Sequence, residues 1–298
     1  MAKKLKIGII GMSEGNGHPY SWSAIFNGYD KEIMKDCPFP AIPDYLAKQK
    51  FPEDGLSNLG KVTHIWTQDR VVSNHIAKAS LIENVVIDME EMIGEVDAVL
   101  LARDDAENHY QMALPFLKAG LPIFIDKPMA LSVKEARELF AAQEYDNQIF
   151  TCSSLRYANE LKLTDAEKNR IGIIKHVEAS VAKDWDTYAV HLIDPIISFL
   201  SERGQLEEII PFVKNGMNMC LIGWENTSAF LKVTGDIPCP VKIEYFGENG
   251  NIEKIFVDSY NCFKETLKQF IQIVNNPEKN IKSEETIEIM KILEKGRG

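Results

Sequence analysis

Three stretches of this chain carry side chains whose types and order could do chemistry. The first is Asp126-Lys127-Pro128, which ends the apolar run Ile123–Ile125. A turn needs none of those charges. Proline pushes the preceding residue out of helical geometry and can adopt the cis form. Either way it fixes the backbone of Lys127 at the carboxyl end of a sheet strand, where ligands bind in open α/β sheets. A lysine desolvated there can have a lowered pKa and can hydrogen-bond a substrate oxygen. A solvated loop lysine is the plainer alternative. The second stretch, "DWDTYAVHLIDPI", holds His191 and Asp194. They share one face if the segment is helical. Histidine can take the proton from an alcohol as hydride leaves the carbon. A helix histidine satisfied by a neighbouring carboxylate is the alternative.

The third stretch is "KIGIIGMSEGNGHPYSW", where a strand runs into Gly11, Gly15 and Gly17 and then a helix. That context is what a dinucleotide fingerprint requires: glycines admit a pyrophosphate, and the helix start supplies donors. A G-x-G-x-x-G would place glycines where Ser13 and Asn16 stand, so a flexible strand–helix turn is not excluded. An acid that holds the ribose is expected after the second strand. Asp69 is the nearest candidate, and Thr67 is the alternative. A threonine would not exclude a 2′-phosphate, so NAD and NADP both stay open.

The elements that must position these groups can be read from periodicity. In the first half strand and helix signals alternate, with strands expected at 6–11, 62–68, 84–88, 96–102 and 122–126. Buried strands alternating with helices imply a parallel sheet covered on both faces. Residues 31–61 contain four prolines and read as a long excursion with one short helix. Asp104 or Asp105 is expected to cap the helix that follows, and Ser132 with Glu135 forms a capping box. From 149 the pattern changes. A new strand opens there, 173–182 alternates, and after 205 strands dominate, with a hairpin around Glu248–Asn251. Two helices close the chain. The expectation is an α/β protein: a doubly wound parallel sheet in 1–148 and an α+β domain with a largely antiparallel open sheet in 149–298.

With 298 residues, two domains of this size can each bury a core. A net charge of −11 argues against nucleic acid or an anionic membrane as partner. The five scattered cysteines form no Cys-x-x-Cys pair, which argues against a disulfide scaffold or a zinc site. The basic start has too short an apolar run for a signal peptide, and no apolar segment is long enough to span a bilayer. The expected compartment is cytoplasmic.

In "VDAVLLARDDAENHYQMALPFLKAGLPIFIDKPMALSVKEARELF" the chain resembles the glucose–fructose oxidoreductase and inositol dehydrogenase superfamily (Gfo/Idh/MocA). The resemblance extends to "KIGIIG…GNGH", "HLIDPIISFL" and "SEETIEIMKILE". It implies a Rossmann domain, a second α/β domain with an open sheet, and a nicotinamide cofactor. The implied substrate is a sugar, nucleotide sugar or cyclitol. Asp126-Lys127-Pro128 matches the family's Glu-Lys-Pro, Gly11 its first glycine, and His109 its early helix histidine. Lys127 would hold the reacting oxygen and His191 would be the acid/base. Ser13, Gly15, Asn16, Asp126 and Pro128 would line the cofactor. Arg156, Trp185, Tyr188 and Asp194 are candidate substrate contacts. A homodimer or homotetramer is implied by the resemblance only. Two departures stand out. The middle glycine is missing, and Thr187 occupies the place of an aspartate four residues before the histidine. They leave open a relative that keeps the fold and binds a ligand without redox activity.

Overall fold

The computed structural model describes residues 3–298. In chain order the elements run β1 (Leu5–Ile10), α1 (His18–Asn27), α2 (Lys31–Met34), α3 (Ala41–Leu46), β2 (Gly60–Trp66), α4 (Arg70–Ala79), β3 (Asn84–Val85), β4 (Ala98–Leu101), α5 (His109–Lys118), β5 (Ile123–Ile125), α6 (Val133–Ala141) and β6 (Ile149–Phe150). There follow α7 (Asp165–Ile171), β7 (Ile174–Val181), α8 (Trp185–Tyr188), α9 (Val190–Phe199), β8 (Leu206–Lys214), β9 (Met217–Trp224), β10 (Ser228–Val233), β11 (Lys242–Gly247), β12 (Gly250–Ile255), α10 (Ser259–Asn275) and α11 (Ser283–Lys295). Two compact units result. One holds the residues up to Met129 with 137–151 and 259–282; the other holds 130–136, 152–258 and 283–298.

The first unit is built on a sheet of order β3-β2-β1-β4-β5-β6 with every pairing parallel. Strands β4 and β5 are apolar along their length, and β1 nearly so, because helices cover both faces. Ile7, Ile9, Ile10, Val99, Leu100 and Ile123–Ile125 have no exposed surface. The order reverses between β1 and β4, the position at which doubly wound sheets open a crevice. Gly11 allows α1 to follow directly, since a Cβ there would run into the ring of Pro19. The 31–61 excursion forms two short helices, not one. Tyr45 of α3 donates to Ser21 of α1, and Phe39 and Ile42 crowd Gly17.

The second unit carries a sheet of order β12-β11-β7-β10-β9-β8. Only β7 and β10 pair parallel; the other four pairings are antiparallel. The hairpin closes at Gly247 opposite Gly250, as the sequence predicts. Together the two sheets give the expected α/β class.

Several elements differ from expectation. The strand at 149–150, expected to open the second domain, is the sixth strand of the first sheet, pairing with β5. The helix α10 clusters with the first unit: Tyr260 donates its hydroxyl to the carbonyl of Asp54. Edge strand β8 gave no distinct signal, because Pro211 interrupts it and its alternation is weak. Neither Asp104 nor Asp105 caps α5. A 3-10 turn over Ala106–Asn108 comes first, and its Asp105 side chain makes no cap bond. Ser132 does accept from the Glu135 amide at 3.2 Å at the start of α6.

Candidate functional site

In the first unit, strand β5 delivers Asp126 and Lys127 to its carboxyl end. Asp126 continues the ladder by donating its amide to the Leu101 carbonyl at 3.1 Å. Its carboxylate is buried and ties the glycine turn to the end of β5 through three hydrogen bonds. Oδ2 accepts from Asn16 Nδ2 at 3.0 Å and from His18 Nδ1 at 2.7 Å, and Oδ1 accepts from the Lys127 amide at 2.8 Å. His18 is held for this by stacking on Trp22, with ring centres 4.6 Å apart, and Trp22 stacks in turn on Phe124 of β5. Asn16 Oδ1 also accepts the amide of His18, the first residue of α1, at 2.8 Å. Burial pushes the Asp126 carboxyl upward, but His18 and then Lys127 outweigh it and bring it down to about 2. Asp126 is therefore an ionised anchor for the glycine turn and for the Lys127 backbone.

Lys127 is 5% exposed and precedes a cis proline bond. The solvated-loop reading of this lysine does not hold. Its Nζ lies 3.6 Å from Asp104 Oδ2. Asp104 Oδ1 accepts from Ser13 Oγ at 2.5 Å, and Ser13 Oγ accepts the Asp104 amide at 3.1 Å. So the ends of β1, β4 and β5 bring together Ser13, Asn16, His18, Asp104, Asp126 and Lys127. His109 is fully buried beneath them. Its ring nitrogens reach the carbonyls of Met129 and Arg103 at 3.0 and 2.9 Å, so it clamps the two loops that follow β4 and β5.

At the end of β2 the candidates are already engaged. Thr67 Oγ1 donates to the Asp69 carbonyl at 2.6 Å and lies 2.8 Å from Ser73 Oγ. Asp69 caps α4, accepting the Val71 amide at 2.7 Å. Between β2 and β4, Arg103 is buried. It bonds Asp105, Gln68 Oε1 at 2.8 Å and the Met12 carbonyl at 3.2 Å.

In the second unit the 3-10 turn Ser154–Tyr157 faces α9. Asp194, three residues after His191, accepts the Ser153 amide at 2.5 Å and Arg156 Nη1 at 2.6 Å. Arg156 also pairs with Glu285 of α11. Ser153 Oγ lies 2.7 Å from His191 Nδ1 and accepts the Leu155 amide at 3.2 Å. Burial raises the Asp194 carboxyl, and Arg156 offsets only part of that. Arg156 itself is held above its usual value: its two carboxylates outweigh its own burial. Tyr188 meets the His191 ring edge-on, centres 5.4 Å apart, and accepts a bond from Lys183. Thr187 donates its hydroxyl to Asp184 at 2.6 Å, closing the first turn of α8. Trp185, a candidate substrate contact, is buried and donates to the Leu293 carbonyl of α11 at 2.9 Å. It is a packing residue.

Sequence reasoning missed Ser153, and gave His18 no role beyond a family match. No local signal marks the serine, whose partner lies 38 residues away. His18 stands at the helix start beside the glycine turn, where spacing alone could have raised it.

The first unit fits a dinucleotide. Gly15 sits at φ +77° with open space where a Cβ would project, so a diphosphate can approach the backbone there. The ten-residue helix α1 begins three residues later, and its start favours anionic groups. Met12–His18 would hold the diphosphate, and Lys127 stands at the strand end beyond.

Comparison with known proteins agrees. The chain superposes on the NAD complex of GenD2 from gentamicin A biosynthesis with a TM-score of 0.72 at 13% identity, covering 99% of this chain and 93% of that one. A myo-inositol dehydrogenase from Corynebacterium glutamicum gives 0.70 at 11% identity over 98% and 95%. A scyllo-inositol dehydrogenase from Lactobacillus casei gives 0.68 at 17% over 99% and 96%. At these identities the likeness speaks for the fold. No curated protein matches the chain by sequence. The model of the GFO_IDH_MocA oxidoreductases, with their NAD-binding Rossmann fold, matches residues 5–153, half of the chain. The chain belongs to this NAD-binding oxidoreductase family.

Proposed function

We propose that the protein is an NAD(P)-dependent oxidoreductase that moves hydride between the cofactor and a CH–OH group of a sugar, nucleotide sugar or cyclitol. The observation that carries this reading is the buried ammonium of Lys127. It is fixed by Asp126 and the following proline at the carboxyl end of β5, where ligands bind in open α/β sheets. The bound nicotinamide supplies the hydride acceptor or donor. Lys127 donates a hydrogen bond to the reacting oxygen and lowers the cost of charge on it. In the oxidation direction the alcohol proton passes to His191; in reduction it returns. Tyr188, against the His191 ring, is the best remaining candidate for substrate contact, while Arg156 and Asp194 act as supports. The inositol dehydrogenases among the similar structures favour a polyol.

The scattered cysteines, with no Cys-x-x-Cys pair, suit a cytoplasmic setting, and no described helix is long and apolar enough to cross a membrane. The exposed Ile210 and Phe212 of β8 suit a homodimer or homotetramer.

Titration with NADH and with NADPH, followed by energy transfer from tryptophan, tests the reading. Saturable binding and turnover on a panel of sugars and cyclitols are expected. No binding of either dinucleotide up to millimolar concentration would sink it. One observation favours a second reading, a ligand-binding relative without redox activity: Thr187 stands where the family resemblance implies a carboxylate, and its hydroxyl goes to Asp184. Dinucleotide binding with no turnover on any panel member, and affinities unchanged in Lys127→Ala, would favour it.

A further inference from the structure

We infer that the second unit holds a subsite for the part of the substrate remote from the reacting carbon, and that its charges select an uncharged polyhydroxy compound over a phosphorylated or nucleotide-bearing one. The subsite rests on the oxidoreductase reading given above and narrows its substrate. It is a cavity of about 530 Å³ where the end of β7, the β8–β9 turn and the end of β10 meet. That volume lies within the range of small-molecule pockets. Lys183, Asp184, Asn215, Thr234, Asp236 and Ile237 stand on its walls. Lys183 and Asn215 both have a left-handed backbone, φ +76° and +53°. Residues with a Cβ adopt this conformation at a cost, and such costs cluster at ligand sites. Lys183 and Gly235 exchange amide-to-carbonyl bonds at 2.8 and 3.1 Å, which fixes the ends of β7 and β10 side by side. Thr234 Oγ1 donates to the Ile237 carbonyl at 2.6 Å and closes the turn that carries Asp236.

The cavity continues into the candidate acid/base by direct contacts. Lys183 donates to the Tyr188 hydroxyl, and the Tyr188 ring meets that of His191. Among the described residues on the walls, Lys183 is the one cation, and there is no arginine to clamp a phosphate. Two carboxylates oppose it. Asp184 accepts the amide and the hydroxyl of Thr187, and the Asp236 carboxylate is engaged by no described residue. A carboxylate has about four lone-pair sites, so both keep acceptors for ligand hydroxyls. The exposed side chain of Ile237 offers an apolar wall to the C–H face of a ring. A phosphate brings negative charge where the walls already carry it, and like charges set side by side exclude the wrong ligand.

Isothermal titration calorimetry of the full chain, with and without saturating NAD, tests this without relying on turnover. The probes are myo-inositol and glucose against inositol monophosphate and UDP-glucose. A neutral compound should bind, and the phosphorylated ones should bind about tenfold more weakly or worse, the discrimination that like-charge juxtaposition supplies. Asp236 is exposed, so its variants should keep the fold. Asp236→Asn should narrow the preference, and Asp236→Lys should reverse it. Tighter binding of inositol monophosphate or UDP-glucose to the wild type would overturn the inference. So would an unchanged affinity ratio in Asp236→Lys, or binding of none of the four probes. A wild-type preference for UDP-glucose would leave the oxidoreductase reading standing. Failure to bind NADH and NADPH would remove that reading, whatever the probes show.

Discussion

Asp126 of the first unit and Asp194 of the second are both buried aspartates beside a cation, yet their carboxyls move in opposite directions. Asp126 faces His18 and Lys127 together and accepts three hydrogen bonds, so it drops to about 2. Asp194 faces Arg156 alone, and that guanidinium also serves Glu285, whose charge opposes ionisation of Asp194. Burial raises both carboxyls. What differs is how many donors converge and whether the cation is shared. The first cluster is thus charged and rigid; the second works through a hydroxyl and an amide.

The sharpest break of this comparison is to remove each unit's candidate catalytic group. Lys127→Ala and His191→Ala should each lower turnover by roughly two to four powers of ten, the usual range for acid–base groups. Steady-state kinetics on the best panel substrate checks this. Full activity in Lys127→Ala would contradict its role. A loss confined to one of the two would say that only one cluster does chemistry.

Next in size is stability. Asp126→Ala leaves His18 and Lys127 beside an empty buried site, and removing one partner of a buried pair costs about 3–5 kcal/mol. Denaturant unfolding should show a cost well above that of Asp194→Asn, where Arg156 keeps Glu285 and the amide can still accept from Ser153. Equal costs would mean that the number of donors converging on each carboxylate has no energetic weight.

A titration sharpens the contrast further. The folded pKa of Asp126 lies below its unfolded value, so its contribution is present at neutral pH and is lost as pH falls from about 4 to about 2. That loss amounts to roughly 2–3 kcal/mol. Asp194 has the opposite sign. Its folded pKa is raised, so stability is gained as pH falls through that value towards the ordinary aspartate range. Asp126→Asn should flatten the acid-side fall, and Asp194→Asn should make it steeper. Unfolding curves at a series of pH values decide; a change of the same sign in both variants would defeat the assignment.

Much of this was legible from residue order, for a physical reason. The doubly wound sheet follows from largely apolar strands that alternate with helices, and the position of Lys127 follows from a proline that dictates its neighbour's backbone. What stayed hidden depends on distant partners. A helix's apolar face does not say which core it joins, so α10 could not be assigned to the first unit, although Tyr260 reaches Asp54. The two-residue strand β6 is defined only by the strand beside it. Ser153 reads as an ordinary turn serine until the fold brings α9 against it.

Thr187 gives the smallest expected effect and bears on how the histidine site is assembled. By spacing it occupies the place of an aspartate that would accept from the histidine. In the fold its hydroxyl and its amide both go to Asp184, at 2.6 and 2.8 Å, so it closes the start of α8. Thr187→Ala should then cost about 1 kcal/mol, one ordinary hydrogen bond, and leave turnover nearly unchanged. Thr187→Asp would set a second carboxylate against Asp184. It should lower stability by a similar amount, and the repulsion should be relieved by Asp184→Asn in the same chain. A rise in turnover in Thr187→Asp would show that the carboxylate reaches the imidazole after all, and that the serine hydroxyl is the weaker of two possible partners.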